Sequence, residues 1–195
     1  MNVTSAFREK YCTVLENEKA LTSHIAGKVI DKPQLSLWMI LVPVFFVFYF
    51  FQFKRYQNGL QTFKIDFIKT RKRVLEAVHQ SLVDNKRVDI EALVAAGNVP
   101  DHARAAYGVW IQRLVAFFTS LLEAEGHDYS ALVKSCYKKK SSYLIVLHGL
   151  NTAERDLNRA LFPNLDNMDE RTTMAIEAIE KCAADFRRNQ AKEFF

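Results

Sequence analysis

Glu76-Ala-Val-His79 places a carboxylate and an imidazole one helical turn apart on the same face, the spacing used by di-iron and di-manganese sites in helical bundles. Those sites need the motif twice, with glutamates from two further helices, and the chain has no second Glu-x-x-His. Glu76 and His79 are therefore kept as the alternative metal pair, and the primary expectation is no metal. His148, Asn151 and Glu154 recur at three-residue spacing and would carry a polar stripe into a bundle. The plain reading there is a buried, hydrogen-bonded histidine, and the functional one is proton transfer or ligand contact. Glu123, Glu125, His127 and Asp128 cluster near a helix end and suggest at most weak cation binding. The six glycines are scattered singly, so no loop is built to cradle phosphate, and there is no Gly-x-Ser-x-Gly elbow, His-Glu-x-x-His pair or kinase motif set. No catalytic or cofactor-binding residue is assigned and no cofactor is expected. Cys12, Cys136 and Cys182 are odd in number and widely spaced, which fits a reducing compartment better than a disulfide framework or a zinc site.

One block dominates the chain that would position such groups. Leu37 to Phe51 are fifteen consecutive apolar residues, and Leu35 and Phe53 extend the stretch to nineteen with only Ser36 and Gln52 intervening. At about 1.5 Å per residue this spans roughly 28 Å, close to the hydrocarbon thickness of a bilayer. It begins too far into the chain, and exits too directly into Lys54-Arg55, to be a cleaved signal peptide. Pro43 removes a backbone donor at its middle and divides it into arms of about 12 and 15 Å by helical rise. The segment is thus either one membrane helix or a re-entrant hairpin. Trp38, Pro43, Phe45, Phe46, Tyr49, Phe51 and Phe53 are the expected hydrocarbon and interfacial contacts. Lys54, Arg55, Lys69, Arg71, Lys72 and Arg73 are the expected clamp on lipid headgroups. Basic residues are denser after the block than before it, which puts the C-terminal side in the cytoplasm.

The remainder reads as helices. Phe7, Tyr11, Val14, Leu21, Ile25 and Val29 define an amphipathic helix in residues 1–34, free to lie on the membrane, to pack on the soluble domain, or to be exported. Phe53, Tyr56, Leu60, Phe63, Phe67, Val74, Val78 and Leu82 mark a second stripe through the basic segment 54–87, interrupted at Thr70 and Arg71. Within 88–195, a short helix from about Asp89 to Ala96 ends at Gly97, and Pro100 opens a long one running to Gly126. Asp128 caps a short helix, Ser141 or Ser142 caps the next, which stops at Pro163, and Asn167 or Asp169 begins the last. No run alternates like a strand. The fold class is all-α: an N-terminal amphipathic helix, the membrane segment 35–53, then a cytoplasmic bundle of four or five helices.

Charge divides unevenly: residues 1–53 net +1, residues 54–87 net +6, residues 88–195 net −2. The excess beside the apolar block is accounted for by orientation and anionic lipid, so nucleic acid is not an expected partner. Lys134 and Lys138 to Lys140, interleaved with Tyr137 and Tyr143, form the one other basic cluster. Phe194 and Phe195 are read as an exposed docking tip. The expectation is a membrane-anchored, non-enzymatic helical scaffold or accessory protein, presenting its bundle to a protein partner or to a second copy of itself. The alternative is a tethered ligand- or metal-binding enzyme using Glu76, His79, His148 and Glu154.

Overall fold

The computed structural model describes residues 3–29, 61, 64–65, 67–97, 99–163 and 170–195, and all its regular structure is helical. The apolar block, with Trp38 through Phe53 and the adjoining Lys54 and Arg55, lies outside the described residues. In chain order the helices are α1 (Val3–Val29), α2 (residues 67–83), α3 (Ile90–Ala95), α4 (Asp101–Glu123), α5 (Tyr129–Tyr137), α6 (Lys140–Leu161) and α7 (Glu170–Phe194).

Local sequence sets most of the boundaries. The Asp89 carboxylate accepts from the Ala92 backbone N–H at 2.9 Å and the Asp128 carboxylate from Ala131 at 2.8 Å, so both aspartates satisfy a donor that a helix start otherwise leaves open. Gly97 follows α3 because the Tyr107 ring lies against it: a Cβ there would fall 2.2 Å from the ring. The expected Ser141 or Ser142 cap is corrected. Lys138 turns the chain with φ of 53°, so α6 begins at Lys140 behind Lys139, without a side-chain cap, and both serines are exposed inside the helix.

Helix α4 is the centre of the bundle. Its face formed by Ala103, Tyr107, Trp110, Ile111, Leu114, Phe117, Phe118, Leu121 and Leu122 is buried, and it packs on α1, α3, α5 and α6. Among the described residues it is the one helix long and apolar enough to cross a membrane. Its apolar face is taken up by protein contacts, however, while Arg104, Gln112 and Arg113 occupy the exposed face, as in a core helix.

Of the three locations open to the N-terminal helix, α1 adopts the packed one. Val14 is fully buried in the same core as Val74, Leu75 and Val78 of α2 and Phe117, Phe118 and Leu121 of α4, while Leu21 and Ile25 meet Ala183 of α7 in a second cluster. Lys10 donates to the Leu122 carbonyl at 3.1 Å, satisfying an open acceptor in the last turn of α4. The two helices that flank the apolar block, α1 and α2, therefore belong to one packed body.

Candidate functional site

The most distinctive chemistry in the bundle is a buried charge quartet, Glu18, Arg71, Glu154 and Arg187, contributed by α1, α2, α6 and α7. Each sits where its helix would otherwise continue an apolar stripe: Glu18 between Val14 and Leu21, Arg71 between Phe67 and Val74, Glu154 between Leu150 and Leu157, Arg187 between Ala183 and Ala191. Arg71 Nη1 donates to Glu18 Oε2 at 2.7 Å, and its Nη2 bonds Glu154. Arg187 grips Glu154 with two bonds, Nη1 to Oε2 at 2.7 Å and Nη2 to Oε1 at 2.9 Å, and also bonds Asn151. Trp110 Nε1 of α4 donates to Glu154 Oε1 at 3.3 Å, and the Arg71 guanidinium lies 5.9 Å from the Trp110 ring centroid. Two positive and two negative charges thus cancel inside the fold, joining five helices.

Relative exposure is 2% for Arg71, 3% for Glu18 and 5% for Arg187, so solvent does little to screen them. Burial pushes the Glu154 carboxyl upward, but Arg187 and then Arg71 outweigh it and hold the group down at about 2. For Arg187, burial acts to lower the value and Glu154 reverses it, raising it above its ordinary position. Glu154 and Arg187 are thus held in their charged forms, and the bonds among the four residues link α1, α2, α6 and α7. A recess of about 200 Å³ opens beside it, lined by Phe67, Trp110 and Leu157, smaller than the roughly 300 Å³ at which ligand pockets begin.

These positions revise several sequence expectations. Arg71 is withdrawn from the headgroup clamp, since its charge is enclosed between Glu18 and Glu154. Lys69 and Lys72 are exposed, with Lys72 3.6 Å from Glu76, and Arg73 donates to the Ala96 carbonyl at 2.7 Å. His148 is exposed rather than buried, and only Asn151 and Glu154 of its stripe enter the bundle. Glu76 is exposed and 3.4 Å from the Tyr11 hydroxyl, while His79 packs against the Tyr11 ring at 5.1 Å. Burial, followed by the Glu76 charge, raises the Tyr11 phenol. The candidate set Glu76, His79, His148 and Glu154 is not assembled around a common interior. No group of three or more potential metal ligands occurs among the described residues. Tyr143, one of the aromatics expected beside the lysine cluster, is fully buried, with its hydroxyl raised by burial to about 12, and cannot stack on a base. Phe194 packs at 5.9 Å on Tyr129 and 6.5 Å on Tyr143, and Phe195, though 40% exposed, also lies 6.3 Å from the Tyr143 ring, so the tip is largely folded onto the bundle.

A larger concavity lies elsewhere, between α1 and residues 64–76, which lead into and begin α2: a groove of about 830 Å³ with Leu15, Ile65 and Ile68 on its apolar lining. Among the described residues, five basic side chains, Lys19, Lys64, Lys69, Lys72 and Arg73, line it against one acid, Glu76. Comparison with family models, with known proteins and with solved structures finds no match for the chain.

Proposed function

We propose that this chain is a membrane-anchored, non-enzymatic helical scaffold or accessory protein, held to the cytoplasmic face of a bilayer by residues 35–53 and offering its bundle to a protein partner. The observation that carries the reading is the 2.7 Å bond between Glu18 and Arg71. These residues lie on opposite sides of the apolar block in sequence and in one core in space. A single crossing would separate α1 from α2 by about 30 Å of hydrocarbon, and breaking the pair would leave charges buried without partners. The packing therefore supports the re-entrant alternative over the single pass, in which the chain would turn near Pro43 and leave on the face it came from. Arms of about 12 and 15 Å each reach roughly the bilayer midplane. The basic excess after the block then argues for a cytoplasmic bundle, α1 included.

The scaffold reading, as against an enzyme, is supported by the charge-neutral use of the buried ionisable groups and by the scattered positions of the other candidates. Flotation on neutral phosphatidylcholine vesicles tests the anchor. The full chain should rise with the vesicles, while a variant lacking residues 35–53 should remain at the bottom with its helical circular dichroism intact. A full chain that stays monodisperse without detergent and fails to float would overturn the proposal. The partner is sought by crosslinking in native membranes, where the reading expects a second polypeptide at defined stoichiometry or a homo-oligomer.

A further inference from the structure

We infer that the groove between α1 and α2 binds the acidic headgroup and upper acyl region of an anionic phospholipid, an inference that rests on the membrane-anchored reading above. Its composition suits such an amphiphile on both sides. Leu15, Ile65 and Ile68 supply apolar surface, and Ile65 is 63% exposed. Of the cations on the rim, Lys19 is engaged by Glu16 at 2.7 Å, Lys72 lies 3.6 Å from Glu76, and Arg73 donates to a backbone carbonyl. Lys64 and Lys69 have no carboxylate partner among the described residues, so two lysines beside an apolar lining are left to meet an anion.

Position selects lipid over a soluble anion. On α1 the groove ends at Ser23, twelve residues before Leu35 in sequence. On the other side it begins at Lys64, eleven residues after Phe53 in sequence. If residues 35–53 occupy the hydrocarbon, the groove is lined by the two elements that lead to and from the bilayer, which favours an anion of the membrane surface. There each basic residue contributes about 1 kcal/mol toward anionic lipid.

The test uses the full chain in a neutral detergent, titrated with dihexanoyl-phosphatidylglycerol, dihexanoyl-phosphatidylcholine and inorganic phosphate. Saturable binding of the glycerol lipid is expected, with the choline lipid at least tenfold weaker and phosphate unable to compete at equal concentration. Lys64→Gln with Lys69→Gln should weaken binding about thirtyfold, the equivalent of about 2 kcal/mol for two basic residues. Lys138→Gln with Lys140→Gln, which removes equal charge from the other basic cluster, should change it less than twofold. A photoreactive p-benzoylphenylalanine replacing Ile65 should yield lipid adducts in vesicles, with phosphatidylglycerol enriched several-fold over its share of the bilayer. Equal affinity for the two lipids, competition by phosphate, equal loss from both lysine pairs, or an adduct to residues 30–60 of the chain or to another protein would each overturn the inference. A failed groove with successful flotation on neutral vesicles would leave the anchor standing. Failed flotation with selective lipid binding in detergent would remove the anchor alone.

Discussion

Replacing Arg71 by methionine keeps much of the side-chain length and removes the charge that links Glu18 to Glu154. Glu18 is 3% exposed and would lose its only ion-pair partner among the described residues; Glu154 would keep Arg187 but lose one of its two cations. Breaking a buried pair on one side costs about 3–5 kcal/mol, because the remaining charge stays desolvated. Set against a total stability of about 5–15 kcal/mol, that is a large fraction, corresponding to a fall in Tm of roughly 10 °C in a chain of this size. The assay is urea and thermal denaturation of the full chain in mild detergent, followed by circular dichroism. The double variant Glu18→Leu/Arg71→Met should recover at least about 2 kcal/mol of the loss, since the bidentate Arg187–Glu154 pair is retained and no charge is stranded. A single-variant loss under about 0.5 kcal/mol, the range of an ordinary surface change, would refute the reasoning. Loss of vesicle affinity without loss of stability would return Arg71 to the headgroup clamp.

Three further outcomes follow from the same geometry. Because the folded Glu154 carboxyl is lowered to about 2 from an ordinary value near 4.5, its contribution is fully present above about pH 4.5 and disappears as pH falls toward 2; urea midpoints between pH 7 and pH 2 should show this decline, on the order of 3 kcal/mol, and Glu154→Gln should flatten it. Gly97→Ala should destabilise by about 1–3 kcal/mol through its clash with the Tyr107 ring, and combination with Tyr107→Leu should restore most of that, as read by thermal melts. Asp128→Ala should cost about 1 kcal/mol by opening the start of α5, whereas Ser141→Ala and Ser142→Ala should lie within about 0.5 kcal/mol of the parent in the same denaturation assay.

Helix positions were legible in the sequence wherever a local residue sets them. Asp89, Asp128 and Pro100 mark helix starts, and the spacing from Tyr107 to Leu122 gives the buried face of α4. Ser141 and Ser142 misled because the chain reversal at Lys138 starts the helix before a hydroxyl is needed. The quartet was half visible. Arg71 interrupted one stripe and Glu18 filled the seven-residue gap between Val14 and Leu21 in another, yet each interruption reads as a defect when its helix is considered alone. Four helices, each with one charge in its apolar stripe and the four charges summing to zero, constitute the signal that could have revealed it. Pairing is a tertiary fact, so the sequence shows Glu154 as part of a polar stripe while nothing local ties it to Arg187, 33 residues further on. The same limit applied to His148, whose three-residue spacing to Asn151 carried no information about which side of α6 faces the core.

The central claim is that α1 and the rest of the bundle share one side of the membrane. It is tested most directly by labelling sealed vesicles of known orientation with a membrane-impermeant maleimide. Cys12 on α1 is exposed, and Ser142→Cys places a second exposed thiol on α6 in a background where Cys136 and Cys182 are replaced by alanine. Measured in separate single-cysteine chains, both thiols should react in vesicles exposing the cytoplasmic face, and both should be protected in vesicles of the opposite orientation. Reaction of Cys12 from one face and of the Ser142→Cys thiol from the other would contradict the account.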